Sequence, residues 1–259
     1  MIYTKKIKDA VKFSIKTHQV YQNQKRKGKD IPYITHPLTV GLILACAGAE
    51  EDVIVAGILH DTIEDSIPEK KVTKTMIAER FGDKVAELVL SVTEQNKALS
   101  WEERKAEALE HVKTFSNDSL LVKSADVLSN GLELIDDHAM DGDDVFSRFN
   151  APKEKILKHY LELIRTIVEC WPKNPLASEL TYVASQLKMM GATSFMVEHR
   201  AKIIEYSEYK EDEVLECPVC HWRGTSEGNK EHHDDLFDVS CPICGKMVLV
   251  VSYPLIKNG

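Results

Sequence analysis

The residues of this chain best suited to chemistry are two polar pairs that close an apolar run. His60-Asp61 is followed one helical turn later by Glu64-Asp65, and residues 53–59 before them carry no polar side chain. Residues three and four apart lie on one face of a helix, so these side chains can face a common space. Ionisable groups at the end of a buried helix are costly unless another group offsets their charge, and a divalent metal ion is the simplest such partner.

Two further positions offer ligands for the same ion. His36 precedes a proline, and Asp126 lies within the helical pattern of 120–135. Each is weak evidence alone, because such a histidine is usually structural and such an aspartate is usually solvated. Together with His60 and Asp61 they supply two imidazoles and two carboxylates, a set that suits a six-coordinate ion such as Mn²⁺ or Fe²⁺. Such an ion generates hydroxide near neutral pH, so the pattern predicts a metallohydrolase.

The acidic pair Glu64-Asp65 would then lie next to the metal rather than on it. One carboxylate can orient or deprotonate the attacking water, and the other can handle the proton of the leaving group. Asn130 follows Asp126 by four residues, where its amide can hydrogen-bond a hydroxyl or phosphate of a substrate. Lys123 precedes Asp126 by three residues and would add positive charge for a phosphorylated substrate, although it could equally be a surface lysine.

Helical periodicity runs from the N-terminus to about residue 206. The predicted helices cover 5–21, 38–46, 51–63, 73–80, 83–92, 101–114, 120–135, 153–170, 176–190 and 195–206. Ser100 and Glu103 form a capping box at the start of one of them. From Cys217 onward, short strand-like runs replace the helical pattern. We therefore expect a mainly α-helical bundle over 1–208, an acidic linker over 209–213 and a small β-rich domain over 214–259.

The bulk properties of the 259-residue chain exclude several classes of function. Its net charge of −8 argues against a broad basic surface for duplex DNA but allows a local basic pocket. The longest nearly uncharged apolar run, 40–49, is too short to cross a bilayer, and residues 1–12 lack the apolar core of a signal peptide. We expect a cytoplasmic protein without a membrane partner.

Four of the six cysteines form two Cys-x-x-Cys pairs near the C-terminus, namely Cys217, Cys220, Cys241 and Cys244. Two such pairs separated by 20 residues predict a structural Zn²⁺ site with a closed shell of four thiolates. A redox dithiol or a pair of disulfides is less consistent with a cytoplasmic protein and a duplicated motif. Cys46 and Cys170 stand alone in apolar helical surroundings, which predicts buried small side chains.

The C-terminal module resembles a zinc ribbon, a class that binds either nucleic acid or protein. It contains an acidic cluster of Glu231, Asp234, Asp235 and Asp238. This cluster disfavours contact with a phosphate backbone. Trp222-Arg223 and the apolar run 248–253 favour packing or contact with another protein. A nucleic-acid partner is therefore the least expected.

Six short segments, taken in order, resemble the HD-domain superfamily. They are Lys25–Lys27, Pro32–Val40, Leu59–Asp65, Val92-Thr93, Trp101–Lys105 and Val122–Asp126. More narrowly, they are similar to the guanosine tetraphosphate (ppGpp) hydrolases of the stringent response, which comprise the hydrolase half of the long alarmone enzymes and their small stand-alone relatives. The resemblance covers about the first 170 to 190 residues.

The resemblance implies a role for each site residue. One metal, usually Mn²⁺, would be bound by His36, His60, Asp61 and Asp126. Glu64 and Asp65 would activate water, Arg26 would cover the guanine base, and Lys27 would meet the phosphates. The implied reaction removes the 3′-diphosphate from the ribose of guanosine tetra- or pentaphosphate and yields GDP or GTP and pyrophosphate.

The chain departs from the family pattern on the substrate side. Val127 follows Asp126 and Gly131-Leu132-Glu133 follows Asn130, where the family commonly has basic or hydroxyl residues; Gly28 follows the Arg-Lys pair. These departures leave two alternatives open. One is an HD hydrolase of another phosphorylated nucleotide, and the other is a non-catalytic nucleotide sensor that acts through the zinc ribbon.

Overall fold

Helices make up most of the chain in the computed structural model, which describes residues 3–94, 99–194, 201–217, 222–233, 235–243 and 245–253. Contacts divide the chain into two units, Met1–Ala184 and Ser185–Gly259. No helix among the described residues is long and apolar enough to cross a membrane.

Ten α-helices occur in the described residues. They are α1 Lys5–Ile15, α2 Thr35–Cys46, α3 Glu51–Leu59, α4 Thr62–Asp65, α5 Lys74–Phe81, α6 Asp83–Val92, α7 Trp101–Val112, α8 Asn117–Asp141, α9 Lys153–Cys170 and α10 Ala177–Ser194. A π-helical turn, Lys16–Val20, follows α1, and 3₁₀ turns cover Pro68–Lys70, Gly142–Arg148 and Tyr206–Glu208.

Several local predictions are confirmed. The capping box of Ser100 and Glu103 begins α7, and α9 has the predicted bounds. α2 begins at Thr35 rather than at residue 38, because Pro37 fits the first helical turn, where its missing N–H costs no hydrogen bond. The helix predicted over 51–63 is wrong at its end, since α3 stops at Leu59 and a break precedes α4.

The centre of the first unit is α3, whose residues Val53 to Leu59 are all buried. It contacts α1, α2, α6 and α8. A glycine permits the closest of these approaches, because a Cβ on Gly57 would lie 2.2 Å from Leu44 Cδ1 of α2. This packing holds the end of α3, and therefore His60, in the interior.

The second unit contains a four-stranded sheet of order β1-β6-β5-β4 and a two-stranded ladder, β2-β3. The strands are β1 Lys202–Glu205, β2 Leu215–Glu216, β3 Arg223–Gly224, β4 Lys230–His232, β5 Leu236–Ser240 and β6 Met247–Ser252. β1 runs parallel to β6, and the other pairs are antiparallel. The helix predicted over 195–206 is thus wrong at 202–205, and its first six residues lie outside the described residues.

Two cysteine predictions are also wrong. Cys46 and Cys170 are exposed, not buried. Each is the last residue of its helix, where the apolar face that its neighbours share has already ended.

Candidate metal centre

Three helices bring together side chains that could bind an ion. One ligand atom each from His36 of α2, His60 at the end of α3 and Asp126 of α8 lies within 4.8 Å of the others. The two Nε2 atoms are 3.3 Å apart, and Asp126 Oδ1 lies 3.3 Å from His36 Nε2. Asp61 Oδ2 lies 3.0 Å from His60 Nε2 and 3.7 Å from His36 Nε2. Three of the four predicted ligands therefore form one group, and Asp61 lies beside its two imidazoles.

Hydrogen bonds behind each imidazole determine which nitrogen faces this cluster. His60 Nδ1 donates to the carbonyl oxygen of Gly57 at 2.8 Å, and His36 Nδ1 contacts Ser129 Oγ at 2.9 Å. With a proton on Nδ1, neutral His60 presents the lone pair of Nε2 to the cluster, as a metal-binding histidine does. Both rings are buried, so two facing nitrogens beside two carboxylates are best explained by a cation between them.

The charges of the cluster point to the same cation. Burial acts to lower the pKa of His60, but the charges of Asp61 and Asp126 outweigh it and raise the pKa to about 9. Burial acts to raise the pKa of Asp126, but Lys123 Nζ, 2.8 Å from its Oδ2, keeps that pKa well below its usual range. Two ionised carboxylates and two imidazoles fit a divalent ion of moderate hardness.

Asp61 reaches the cluster because the helix breaks. Neighbouring residues of a regular helix point about 100° apart, and Asp61, in the break between α3 and α4, departs from regular helical angles with φ of −91° and ψ of −5°. The Tyr33 hydroxyl donates to Asp61 Oδ2 and holds the carboxylate in place. Burial, with the charge of Asp61, raises the pKa of Tyr33 well above its usual range, so the hydroxyl remains a donor.

Glu64 and Asp65 lie in α4, immediately beyond the predicted ligands, and have different partners. Glu64 Oε2 accepts a hydrogen bond from the backbone N–H of Glu94 at 3.2 Å, and Asp65 Oδ2 accepts one from Gln24 Nε2 at 2.9 Å. Burial and the charge of Asp61 raise the pKa of Glu64. A carboxylate of raised pKa accepts a proton more readily, which suits a general base.

Arg26 is bound by acidic and amide groups of α8. Its Nε lies 2.9 Å from Glu133 Oε2, and its Nη2 lies 2.8 Å from Asn130 Oδ1. Asn130 Nδ2 in turn donates to Asp126 Oδ1 at 2.7 Å. A chain of hydrogen bonds therefore joins Arg26 to the metal cluster, and Asn130, predicted to contact substrate, uses both ends of its amide within the protein.

Glu133, a departure from the family pattern, organises this region. It also accepts a hydrogen bond from Lys29 Nζ at 2.7 Å. Lys27 lies apart, with Nζ 5.5 Å from the centroid of the Phe149 ring and 3.4 Å from Asn150 Oδ1. Among the described residues, no hydrogen bond or ion pair joins Lys27 to the metal cluster.

Sequence reasoning missed the residues that hold the site together, including Tyr33, Ser129, Gln24 and Glu94. Tyr33 lies within the segment Pro32–Val40 that carried the family resemblance, so its position was a usable signal. The others have no local pattern, because their partners are distant in sequence.

In the second unit, Cys217 and Cys241 are buried in one apolar cluster with Phe237 and Val239. The N–H of Cys217 donates to the carbonyl of the residue five positions later, Trp222, at 2.8 Å, and Cys241 does the same with Lys246. The two cysteines therefore make equivalent backbone hydrogen bonds. Cys220 and Cys244 lie outside the described residues.

Residues 10–154, more than half of the chain, match the family model for the HD domain. The chain belongs to the HD domain family.

The chain is similar to several named members of this family. The guanosine-3′,5′-bis(diphosphate) 3′-pyrophosphohydrolase MESH1 of Danio rerio is 37% identical over 125 residues, which are 47% of this chain and 65% of MESH1. The enzyme of the same activity from Aquifex aeolicus is 42% identical over 95 residues, 37% of this chain and 12% of that protein. The chain thus spans less than two thirds of these curated relatives.

Two solved structures share the fold. That of a metazoan ortholog of SpoT that hydrolyzes ppGpp has a TM-score of 0.56 and 21% identity, and the match covers 76% of this chain and 99% of the other. The crystal structure of lmo0812 from Listeria monocytogenes has a TM-score of 0.54 and 35% identity, and covers 60% and 97%.

Proposed function

We propose that the protein is a metal-dependent hydrolase that removes the 3′-diphosphate of guanosine tetra- or pentaphosphate, yielding GDP or GTP and pyrophosphate. The observation that carries the proposal is the convergence of His36, His60, Asp61 and Asp126 beside the acidic pair Glu64-Asp65. The names of the similar pyrophosphohydrolases support the substrate.

The four converging side chains would hold one divalent ion, for which we propose Mn²⁺, with Fe²⁺ as the alternative. When bound, the ion supplies Lewis acidity that makes a water molecule more acidic and offsets phosphate charge. The protein's part is orientation: Gly57 and Ser129 direct the two imidazoles, and Tyr33 directs Asp61.

Hydrolysis of this substrate breaks the bond between O3′ of the ribose and phosphorus and forms a bond between water oxygen and phosphorus. We assign Glu64 to accept the proton of the attacking water, because its raised pKa favours protonation. Asp65, fixed by Gln24, would steady the water or deliver a proton to O3′. The products are a nucleotide with a free 3′-hydroxyl on its ribose and inorganic pyrophosphate.

The substrate side has a second candidate. Arg26 is already bound to Glu133 and Asn130, so a base that stacks on its guanidinium must do so without breaking these bonds. This arrangement makes another phosphorylated nucleotide the alternative substrate for the same site. A sensor that binds nucleotide without turnover is the less favoured reading, because a pure binder needs no Glu64.

A nucleotide screen on metal-loaded protein tests the proposal. Purified protein is saturated with Mn²⁺, its metal content is measured, and release of pyrophosphate from ppGpp is compared with release of phosphate or pyrophosphate from other nucleotides. We expect ppGpp to be cleaved and Asp126→Asn to lose both metal and activity. Cleavage of a different nucleotide alone would favour the second candidate, and tight binding without turnover would favour the sensor.

For the second unit we propose a structural Zn²⁺ site formed by Cys217, Cys220, Cys241 and Cys244. The burial of Cys217 and Cys241 in one cluster and their equivalent backbone hydrogen bonds support it. Four thiolates leave no open position, so the ion would stabilise this unit and take no part in hydrolysis. With acidic residues on its strands, the unit is better suited to contact a protein than a nucleic acid.

A further inference from the structure

A cavity lies in the first unit, beside the metal cluster. Its volume is about 420 Å³, within the range of small-molecule sites. It is bounded by the end of α6, by α7, by Lys123 of α8 and by His159 of α9. Arg104 and Lys105 of α7 line it, and no step of the proposed hydrolysis uses either residue.

The cavity is lined by three basic and three acidic side chains, and Glu94 is the one acidic side chain among them that is not exposed. Arg104 Nη1 lies 2.9 Å from Glu94 Oε2, and Lys105 Nζ pairs with the other oxygen of the same carboxylate. One carboxylate therefore faces two cations. Lys123 also lines the cavity, but its Nζ is paired with Asp126. Two further acidic residues that line the cavity, Glu107 and Glu110, are exposed to solvent, where their charge is screened.

Two buried nitrogen atoms in the cavity wall have no hydrogen-bond partner among the described residues. They are Arg104 Nε and His159 Nδ1. A buried nitrogen without a partner costs free energy, so such atoms point to a ligand that supplies acceptors. Burial, with the charges of Lys105 and Lys123, lowers the pKa of His159 to about 4, so the ring is neutral and can donate one hydrogen bond.

The cavity adjoins the catalytic residues through two contacts. Lys123 lines the cavity while its Nζ bonds Asp126 Oδ2 at 2.8 Å. The backbone N–H of Glu94, another lining residue, donates to Glu64 Oε2 at 3.2 Å. Residues that line the cavity therefore contact both a predicted metal ligand and the proposed general base.

We propose that this cavity binds inorganic pyrophosphate released from the nucleotide, with Arg104, Lys105 and His159 as its ligands. The inference rests on the proposed function, because it names where one product goes. A polyanion matches the two cations that share the single carboxylate of Glu94, and its oxygen atoms match the two unpartnered nitrogens.

Calorimetric titration of inorganic pyrophosphate into the Mn²⁺-loaded protein tests the proposal, with equal excess Mn²⁺ in the cell and the syringe. We expect Arg104→Gln to weaken pyrophosphate binding about tenfold, the usual effect of losing a charge-assisted hydrogen bond. Arg104→Lys keeps the charge but lacks Nε–H, so it should bind with intermediate affinity. Arg165→Gln, on the exposed face of α9, is the matched control and should bind as the wild type does.

Unchanged pyrophosphate affinity in Arg104→Gln would overturn the inference. Should that variant fail to fold, as judged by its thermal melting curve, Lys105→Met replaces it with the same expectation. If the wild type binds pyrophosphate in an Arg104-dependent manner but cleaves no ppGpp, the cavity assignment stands and the proposed hydrolase fails. If it cleaves ppGpp and the variants bind pyrophosphate normally, the hydrolase stands and the cavity assignment fails.

Discussion

His60 has one nitrogen directed by the backbone and the other directed at a cluster of negative charge. Its Nδ1 donates to Gly57, and its Nε2 lies 3.0 Å from Asp61. Because the ring is buried, neither nitrogen can turn to solvent. These two contacts therefore orient His60 for the metal binding proposed for its Nε2.

Glu64→Gln should abolish turnover while leaving the metal in place. The amide cannot accept the proton of the attacking water, so we expect kcat to fall by about 10²–10⁴. Metal content, measured by elemental analysis, should match the wild type, because Glu64 is not among the converging ligands. Glu79→Gln on exposed α5 is the control, and a parallel loss of metal in Glu64→Gln would contradict this assignment.

Glu133→Gln should reduce stability in a pH-dependent way. Burial acts to raise the pKa of Glu133, but hydrogen bonds from Arg26 and Lys29 outweigh it and lower the pKa. A carboxyl with a lowered folded-state pKa stabilises the fold above its unfolded pKa of about 4.3, and this contribution is lost as pH falls through the folded value. We expect the variant to lose about 1–3 kcal/mol at pH 7 and the difference to shrink toward pH 3.

Denaturant unfolding of both proteins across this pH range measures the effect. Glu79→Gln, whose side chain is exposed, should differ little from the wild type at any pH. A difference that stays constant with pH would show that the charge of Glu133 is not its source.

At the scale of elements, the position of the end of α3 determines where the predicted metal ligands lie. α3 packs against α1, α2, α6 and α8, which bury its whole length. The chain then breaks at His60 and Asp61 before α4 begins. The break directs two adjacent side chains to one point and leaves Glu64 and Asp65 on the short helix beyond.

Gly57→Ala should disturb both packing and metal binding. The new Cβ would lie 2.2 Å from Leu44 Cδ1 and 3.2 Å from Val40 Cγ1, so either the buried Leu44 side chain must move or α2 and α3 must separate slightly. We expect a loss of about 1–3 kcal/mol in the free energy of unfolding, and weaker Mn²⁺ binding because the Gly57 carbonyl orients His60.

Denaturant unfolding and a Mn²⁺ titration test this prediction. Leu42→Ala, at an exposed position of α2, should change the unfolding free energy by no more than about 0.5 kcal/mol. Normal Mn²⁺ affinity in a destabilised Gly57→Ala would separate the packing role from the orienting role.

At the scale of the whole molecule, the two units differ in the size of their buried cores. The first is a helical domain with a large buried core. Among the described residues of the second unit, the β-rich part has a small cluster of eight buried residues, Leu215, Cys217, Phe237, Val239, Cys241, Val248, Leu249 and Val251. A core of this size gives little stability alone, which is why a structural ion is expected there.

Cys217→Ser should remove zinc without removing hydrolysis. Elemental analysis of the wild type should find one zinc in addition to the catalytic metal, and the variant should lose it because a serine hydroxyl is a poor substitute for thiolate. Cys46→Ser, at an exposed single cysteine, is the control and should retain zinc. Full zinc content in Cys217→Ser would contradict the proposed site.

The sequence by itself determined what depends on short-range pattern. Helical periodicity located α5, α6, α7 and α9 to within two residues, whereas α8 extends beyond its predicted range of 120–135 at both ends. The capping box at Ser100 was predictable because both of its partners lie within four residues. His36, His60-Asp61 and Asp126 could also be predicted as candidate metal ligands, because ionisable side chains are unusual in apolar surroundings.

Only the tertiary structure decided which distant groups meet. The pairing of Arg26 with Glu133 joins residues 107 positions apart, and the cavity between α7 and α9 exists only once those helices pack. The pairing of β1 with β6 likewise overrode a local helical pattern at 202–205. Such contacts depend on how elements pack in three dimensions, and no spacing along the chain encodes that packing.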